Sequence, residues 1–452
     1  MTALDTYDLV VIGAGSGGLA TALRAARLGA KVALLDPGAP GGTCVNRGCV
    51  PKKVMWSAAQ WLHGLSRARA LGIGLPETVP LDWPTLVAAR DAYIERIHAS
   101  YRRQFQDTGV QVIASRGTLD GPGRVRLDDG RTLTSAHVVI ATGARPRESV
   151  IDGAQWIQDS DAFFGWSSLP ASVAIIGGGY IGVELAGLLN ALGSRVSLLV
   201  RGDHLLAGFD AELAAALAQR MQADGVDVRF GVEVTAVEGG PGALRLRGSG
   251  DMTDAEFAAV IGATGRIPNS DGLGLDRAGV ALDRRGHILT DADTLATSVP
   301  GIWAVGDVTA QLALTPVAVA QGRRLAEQLF GDPAQPGIDF EQVPSVVFSH
   351  PPLGKVGMDE ATARERFEQV QVYRSRFKPM AESIARGHAY SQFKVVCAGP
   401  EQRVVGIHLL GDDVDEILQG FAVALTAGAT LEHFRRTLPI HPTAAEEVVL
   451  VR

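Results

Sequence analysis

Two stretches that read strand, glycine turn, helix, strand, followed by a C-terminal part alternating apolar strands with a helical run, predict a multidomain α/β protein. Abundant glycine, 54 of 452 residues, fits many tight strand-to-helix turns. A chain of 452 residues is too long for one hydrophobic core, so several domains are expected. It is 46% hydrophobic and 20% charged, the composition of an ordered soluble protein. Its net charge of -7 speaks against a nucleic-acid partner or an anionic membrane surface. No apolar run is long enough for a transmembrane helix. The first strand begins near Tyr7 (YDLVVIG), which leaves no room for a targeting segment, and three cysteines do not make a secreted disulfide scaffold. A cytoplasmic enzyme is the expectation.

The first element is DLVVIGAGSGGLATALRAARLGAKVALLD, from Asp8 to Asp36. Its counterpart is VAIIGGGYIGVELAGLLNALGSRVSLLVR, from Val173 to Arg201. Gly13, Gly15 and Gly18 fall on Gly177, Gly179 and Gly182, and Leu28-Gly29 falls on Leu192-Gly193. The first glycine permits the tight turn, the second lets a pyrophosphate approach the backbone, and the third lets helix pack on strand. The helix N-terminus then faces the phosphate charge. These are two Rossmann-like dinucleotide-binding domains. Their second strands end differently. Asp36 closes the first, where a carboxylate accepts hydrogen bonds from ribose hydroxyls; Val200 stands at that place in the second, and Arg201 follows. A carboxylate repels a 2′-phosphate and a guanidinium binds it, so the first site is expected to take FAD and the second NADPH. HVVIATGARP and AAVIGATGRIPN are further apolar runs ending in Thr-Gly turns, the first at Thr142-Gly143, and GIWAVGDV presents Asp307 at a strand end.

The stretch GGTCVNRGCVPKK holds two of the three cysteines, Cys44 and Cys49. A zinc site usually needs four ligands; Cys397 lies far off in the apolar run FKVVCAG, which reads as a buried thiol, and no His/Cys cluster accompanies it, so no metal is expected. A staple across so short a loop restrains the unfolded chain little. A redox couple fits better: the pair follows the first dinucleotide unit, and Val50-Pro51-Lys52-Lys53 starts a helix whose N-terminus favours a thiolate.

The cysteine stretch, the two glycine motifs, ATG, GD and the terminal HPTAAEE together resemble the flavoprotein disulfide reductases over nearly the whole chain. The resemblance implies that Cys49 contacts the flavin as a thiolate, that Cys44 attacks the disulfide substrate, and that Lys52 sits near the flavin paired with Glu184. Tyr180 would lie over the flavin as a lid, Arg266 along NADPH beside Arg201, and Asp36, Asp307, Thr43, Thr142 and Gly143 along FAD. His441, oriented by Glu446, would protonate the leaving thiolate from the partner subunit of a homodimer. From the residues alone, a histidine near neutral pKa beside a carboxylate suits that transfer, although a His-Pro turn followed by acids also reads as an ordinary helix start.

The branch resembled most reduces glutathione disulfide. Arg323 (LTPVAVAQGRR) and Tyr101 match a substrate-contacting arginine and a cleft-gating tyrosine. No cysteine follows Cys397, which disfavours members with a C-terminal cysteine pair, and no acidic residue stands at Val200-Arg201, which disfavours NAD-dependent members. Leu23 and Ala207 depart from the pattern: some members carry an arginine at the first position for glutathione, and many carry one at the second for the 2′-phosphate, where His204 compensates in part. Arg47 stands between the cysteines where relatives carry an apolar residue. A flavin-bound redox sensor is the non-enzymatic alternative. The expected organisation is an FAD-binding domain (1–142), an NADPH-binding domain (143–269), a central domain completing the FAD site (270–340) and a C-terminal α+β dimerisation domain (341–452).

Overall fold

The computed structural model describes residues 5–76, 79–252, 254–334, 336–385, 387 and 389–451. The chain divides into two compact units, each assembled from three separate stretches.

The first unit comprises Met1–Val54, Val87–Arg147 and Arg266–Ile338. Its seven-stranded sheet is ordered Gln111–Ile113, Val32–Leu35, Asp5–Ile12, Thr132–Ile140, Arg124–Leu127, Gly117–Leu119, with Ile302–Ala304 also paired to Thr132–Ile140. The pairs around Asp5–Ile12 are parallel, and the Gly117–Leu119 edge is antiparallel. The unbroken apolar run Leu9-Val10-Val11-Ile12 explains why the first strand is buried on both faces. Val10 and Ile12 enter one core cluster with Leu133, Val138 and Ile140, while Leu9 and Val11 enter another with Leu19, Ala22 and Leu325. Helices Ser16–Arg27 and Thr315–Phe330 cross closely because glycine stands at the crossing: a Cβ on Gly322 would fall 2.5 Å from the Gly17 carbonyl oxygen.

The second unit comprises Met55–Leu86, Glu148–Gly265 and Asp339–Arg452. It holds a five-stranded all-parallel sheet ordered Asp227–Phe230, Arg195–Val200, Ser172–Ile176, Ala259–Gly262, Ile157–Asp159. Against it lies helix Tyr180–Leu192, whose Leu185, Leu188, Leu189 and Leu192 are all buried. A second, antiparallel five-stranded sheet is ordered Ser345–Val347, Leu353–Gly357, Arg403–Leu410, Ser391–Ala398, Val370–Phe377. The helical run expected near its end forms as Val414–Thr426, with Val414, Leu418, Ala422 and Leu425 turned into the core. Cys397 is fully buried in strand Ser391–Ala398, as its apolar surroundings predict, and burial pushes its thiol up to about 11. Among the described residues no helix is long and apolar enough to cross a membrane.

Candidate functional site

In the first unit each glycine of the first motif has a separate steric reason. Gly13 has φ +105°, and a Cβ there would lie 2.4 Å from the Ala141 carbonyl oxygen. A Cβ on Gly18 would lie 1.9 Å from the Gly13 carbonyl oxygen. Gly15 differs: its Cβ would meet nothing closer than 3.9 Å, so the backbone is left open there to a ligand. Helix Ser16–Arg27 starts at Gly15 with no capping side chain and no acid in its first turn, which leaves its first N–H groups for an anion. Asp36 accepts from the Ala14 and Gly38 N–H groups at 2.7 and 2.8 Å, which fixes the carboxylate beside that turn. Asp307 is half-buried; burial lifts its carboxyl above the usual range, and the Arg266 charge pulls it back. Thr142 donates to the Asn269 carbonyl at 2.7 Å, and Gly143 sits at φ +68°. Arg266 reaches the Ala144 carbonyl and lies 3.5 Å from the Thr43 hydroxyl. An uncapped helix end, an open glycine and two carboxylates fit a dinucleotide with unphosphorylated ribose, and FAD satisfies them.

The cysteines lie on two helices. Cys44 is half-buried in the short helix Gly42–Arg47, and the exposed Cys49 opens helix Cys49–Ala70, one residue earlier than the VPKK start suggests. Gly48 makes the break: a Cβ there would stand 2.9 Å from the Thr43 carbonyl oxygen. Hydrogen bonding to Cys49, and then burial, raise the Cys44 thiol well above its ordinary value, with the Thr315 and Ser16 hydroxyls opposing. Cys49 Sγ lies 3.9 Å from Thr315 Oγ1. Cys49 opens helix Cys49–Ala70, and a helix N-terminus favours a thiolate there. Lys52 is buried one turn along the same helix. Tyr101, on helix Trp83–Thr108, is half-buried; burial and then the Cys44 charge raise its phenol. Arg323 is exposed on helix Thr315–Phe330. Leu23 is 6% exposed and belongs to the apolar cluster on which Tyr101 and Phe105 pack.

The second unit repeats the glycine geometry. A Cβ on Gly177, at φ +126°, would lie 2.3 Å from the Ala263 carbonyl oxygen, and one on Gly182 would lie 2.1 Å from the Gly177 carbonyl oxygen. Gly179 is open and begins helix Tyr180–Leu192 without a capping side chain. Tyr180 and Arg201 are exposed. His204 Nδ1 lies 2.6 Å from Asp203 Oδ1, so only Nε2 is left to turn outward. Glu184 is buried and accepts from the Phe348 N–H at 2.8 Å. His441 Nδ1 lies 3.0 Å from Glu446 Oε2; the imidazole is 77% exposed and the carboxylate side chain 12%. The hydrogen bond from His441 holds Glu446 below the usual carboxylate range, and the Thr443 N–H adds a further one at 3.3 Å. Nδ1 is committed to Glu446, and Nε2 is the nitrogen presented outward. Among the described residues no His, Cys, Asp or Glu cluster could hold a metal ion.

Two residues that the sequence did not single out belong to this site. Thr315 is legible only through the fold, because its hydroxyl reaches the cysteines from a helix far along the chain. His98 contacts Asn46, between the cysteines, from the helix that carries Tyr101.

The family description "Pyridine nucleotide-disulphide oxidoreductase" matches residues 7–322, and its dimerisation domain matches residues 343–452. The chain is 44% identical over 447 residues to a glutathione reductase of Burkholderia cepacia, covering 99% of this chain and 98% of that protein. It is 40% identical over 473 residues to a glutathione reductase of Yarrowia lipolytica, with both chains covered in full.

Proposed function

The chain belongs to the pyridine nucleotide-disulphide oxidoreductases, and we infer that it reduces glutathione disulfide with NADPH through FAD and the Cys44–Cys49 pair. The observation that carries the reaction type is the unequal cysteine pair on two adjoining helices, Cys44 half-buried and Cys49 exposed at the first position of helix Cys49–Ala70. The full-length relatives, both glutathione reductases, support the substrate.

FAD, when bound, takes two electrons from NADPH and delivers them to the Cys44–Cys49 disulfide. Gly13, Gly15 and Gly18 admit its pyrophosphate, Asp36 its ribose, and Asp307, Thr43, Thr142 and Gly143 complete its lining. Gly177, Gly179 and Gly182 do the same for NADPH, with Arg201, Arg266 and the Nε2 face of His204 toward its phosphates and Tyr180 as the lid. Opening the disulfide leaves a thiolate on Cys49 and a thiol on Cys44, with the buried Lys52 supplying positive charge nearby. Cys44 passes its proton to the partner subunit's His441 and attacks one sulfur of glutathione disulfide, forming a mixed disulfide and expelling one glutathione thiolate. The partner subunit's His441, held by Glu446, protonates that leaving group. Cys49 then attacks the Cys44 sulfur, re-forms the internal disulfide and expels the second glutathione, which takes the remaining proton. One NADPH and one proton thus yield two thiols. Tyr101 and Arg323 line the substrate cleft, and Arg323 answers the negative charge of glutathione.

We propose that the active form is a homodimer working in the cytoplasm, and that the chain comprises an FAD-binding domain (1–142), an NADPH-binding domain (143–269), a central domain (270–340) and a dimerisation domain (341–452). Oxidation of NADPH and of NADH by the holoenzyme, followed against glutathione disulfide, lipoamide and trypanothione disulfide, tests the reading. Sustained turnover is expected for glutathione disulfide with NADPH. Faster turnover of another disulfide would sink the substrate assignment, and a single reduction followed by a stall would favour the sensor.

The cofactor preference rests on fewer positive groups than a two-arginine site has, since Ala207 brings no charge. Arg201→Met is therefore expected to raise KM for NADPH about ten- to hundredfold, the worth of one charge-assisted contact, and to leave KM for NADH within about twofold. Parallel steady-state titrations of the two nucleotides check it; equal effects on both would show that Arg201 does not read the 2′-phosphate.

A further inference from the structure

The segment between the two cysteines is tied to the helix that carries Tyr101. Asn46 lies between Cys44 and Cys49, and its Nδ2 faces three backbone carbonyls: Ala39 at 3.2 Å, Pro40 at 3.4 Å and Gly42 at 3.0 Å. Three acceptors around one amide nitrogen fix the orientation of the side chain, because the opposite flip would turn an oxygen lone pair toward all three. Oδ1 is thereby turned outward, where His98 Nε2 stands 2.7 Å away. Since Oδ1 is an acceptor only, His98 Nε2 carries the proton and donates. The other ring nitrogen, Nδ1, faces Glu95 Oε2 at 3.4 Å, and Glu95 is itself paired with Arg102 on the same helix. The His98 side chain is 13% exposed, so the bond is largely screened from competing water. His98 lies on helix Trp83–Thr108, one turn before Tyr101.

We propose that His98 is a positioning residue: its Nε2–H···Oδ1 bond to Asn46 sets the placement of the short helix that carries Cys44 and couples that helix to the one bearing the substrate-gating Tyr101. The inference rests on the reading of Cys44 and Cys49 as the redox pair. Asn46 anchors both Gly42, which starts the Cys44 helix, and the Ala39-Pro40 turn before it. Losing the outer hydrogen bond leaves the amide held on one side only. Cys44, two residues away, then loses the fixed approach to Cys49 and to an incoming disulfide that thiol–disulfide exchange needs.

The test uses the FAD-loaded enzyme and three variants. His98→Leu removes the donor at similar volume, His98→Gln places an amide N–H where Nε2 stood, and Asn46→Ala removes the acceptor. For His98→Leu, kcat/KM for glutathione disulfide is expected to fall about tenfold, the scale of one hydrogen bond, while flavin reduction by NADPH in stopped flow stays unchanged. In the NADPH-reduced enzyme the rate of Cys44 alkylation by iodoacetamide, read by peptide mass spectrometry, should change by a comparable factor. His98→Gln should return both quantities to near the wild-type values. His98→Leu combined with Asn46→Ala should be no worse than the poorer single variant, because His98 acts only through its bond to Asn46. Wild-type rates of turnover and alkylation in His98→Leu would overturn the proposal. So would a His98→Gln variant as impaired as His98→Leu, which would assign the effect to packing of the ring, and so would additive losses in the double variant. Failure of the wild-type enzyme to turn over glutathione disulfide would instead defeat the functional reading, and the alkylation rates would still report on the tether.

Discussion

Cys44→Ala and Cys49→Ala each lower NADPH-dependent reduction of glutathione disulfide by at least about a thousandfold, the scale of losing a covalent nucleophile, yet they stop the reaction at different points. Without Cys44 the attacking sulfur is gone. Without Cys49 the attack remains possible once, but no internal disulfide can re-form, and the mixed disulfide on Cys44 accumulates and is detectable by mass. The two variants also differ in thiol behaviour. Hydrogen bonding to Cys49 is the largest cause of the raised Cys44 value, so Cys49→Ala brings Cys44 back toward an ordinary thiol. Its alkylation near pH 8 is then faster than in the reduced wild-type enzyme, where the proton is held. Slower or unchanged alkylation would show that Cys44 is not the proton-holding partner. The same variants locate His441: a heterodimer of one Cys44→Ala chain and one His441→Gln chain rebuilds a single intact site only if the histidine acts across the subunits. Its activity is expected at about half that of the wild-type dimer, the share of one site in a two-fold assembly. A heterodimer as inactive as its parents would place the histidine in the site of its own chain.

Much of this site was legible in the sequence because its parts obey local rules. The glycines of both motifs announced themselves by spacing, and the structure gives each repeat the same steric cause, a backbone oxygen within 2.4 Å of the Cβ that Gly13 or Gly177 lacks. The terminal His-Pro-Thr-Ala-Ala-Glu run could be read because a histidine and its carboxylate lie within one short turn, and they meet at 3.0 Å. What stayed hidden depends on contacts between distant segments. Thr315 reaches Cys49 only because its helix packs across Ser16–Arg27 at two glycines. Leu23 looked like a missing substrate contact, whereas its position is a core position beneath Tyr101 and Phe105, filled by an apolar side chain. The long helices Cys49–Ala70 and Trp83–Thr108 were not singled out either, since their polar and apolar residues alternate weakly and tertiary packing decides them. His408, buried and hydrogen-bonded to the Met358 carbonyl at 2.9 Å, is a further polar group that no local pattern placed in a core.

His350 supplies the largest effect expected on stability, and its sign follows from burial. The imidazole is 5% exposed in the second unit, stacked on His63 with ring centres 4.7 Å apart and on Trp56 at 5.7 Å. Among the described residues neither ring nitrogen has a hydrogen-bond partner. Burial, and then repulsion from His63, push its pKa from 6.5 down to about 3. The folded chain therefore refuses a proton that the unfolded chain accepts between those two values. The stability is fully present above the unfolded pKa and is lost as pH falls from 6.5 toward about 3. The loss approaches about 1.4 kcal/mol per pH unit within that window and about 5 kcal/mol across it, an order-of-magnitude figure from linkage. His63, lowered by burial first, adds to the acid sensitivity in the same direction. His350→Phe keeps an aromatic ring between Trp56 and His63 and removes the titration. Urea unfolding of the FAD-loaded enzyme at one protein concentration, at pH 7.5 and pH 5, is expected to show a stability difference smaller by about 2 kcal/mol in the variant than in the wild type. At neutral pH the variant should be at least as stable as the wild type, since it no longer buries an imidazole N–H without an acceptor. An unchanged pH dependence would mean that the His350 ring takes up its proton in the folded state, with water reaching it between Trp56 and His63.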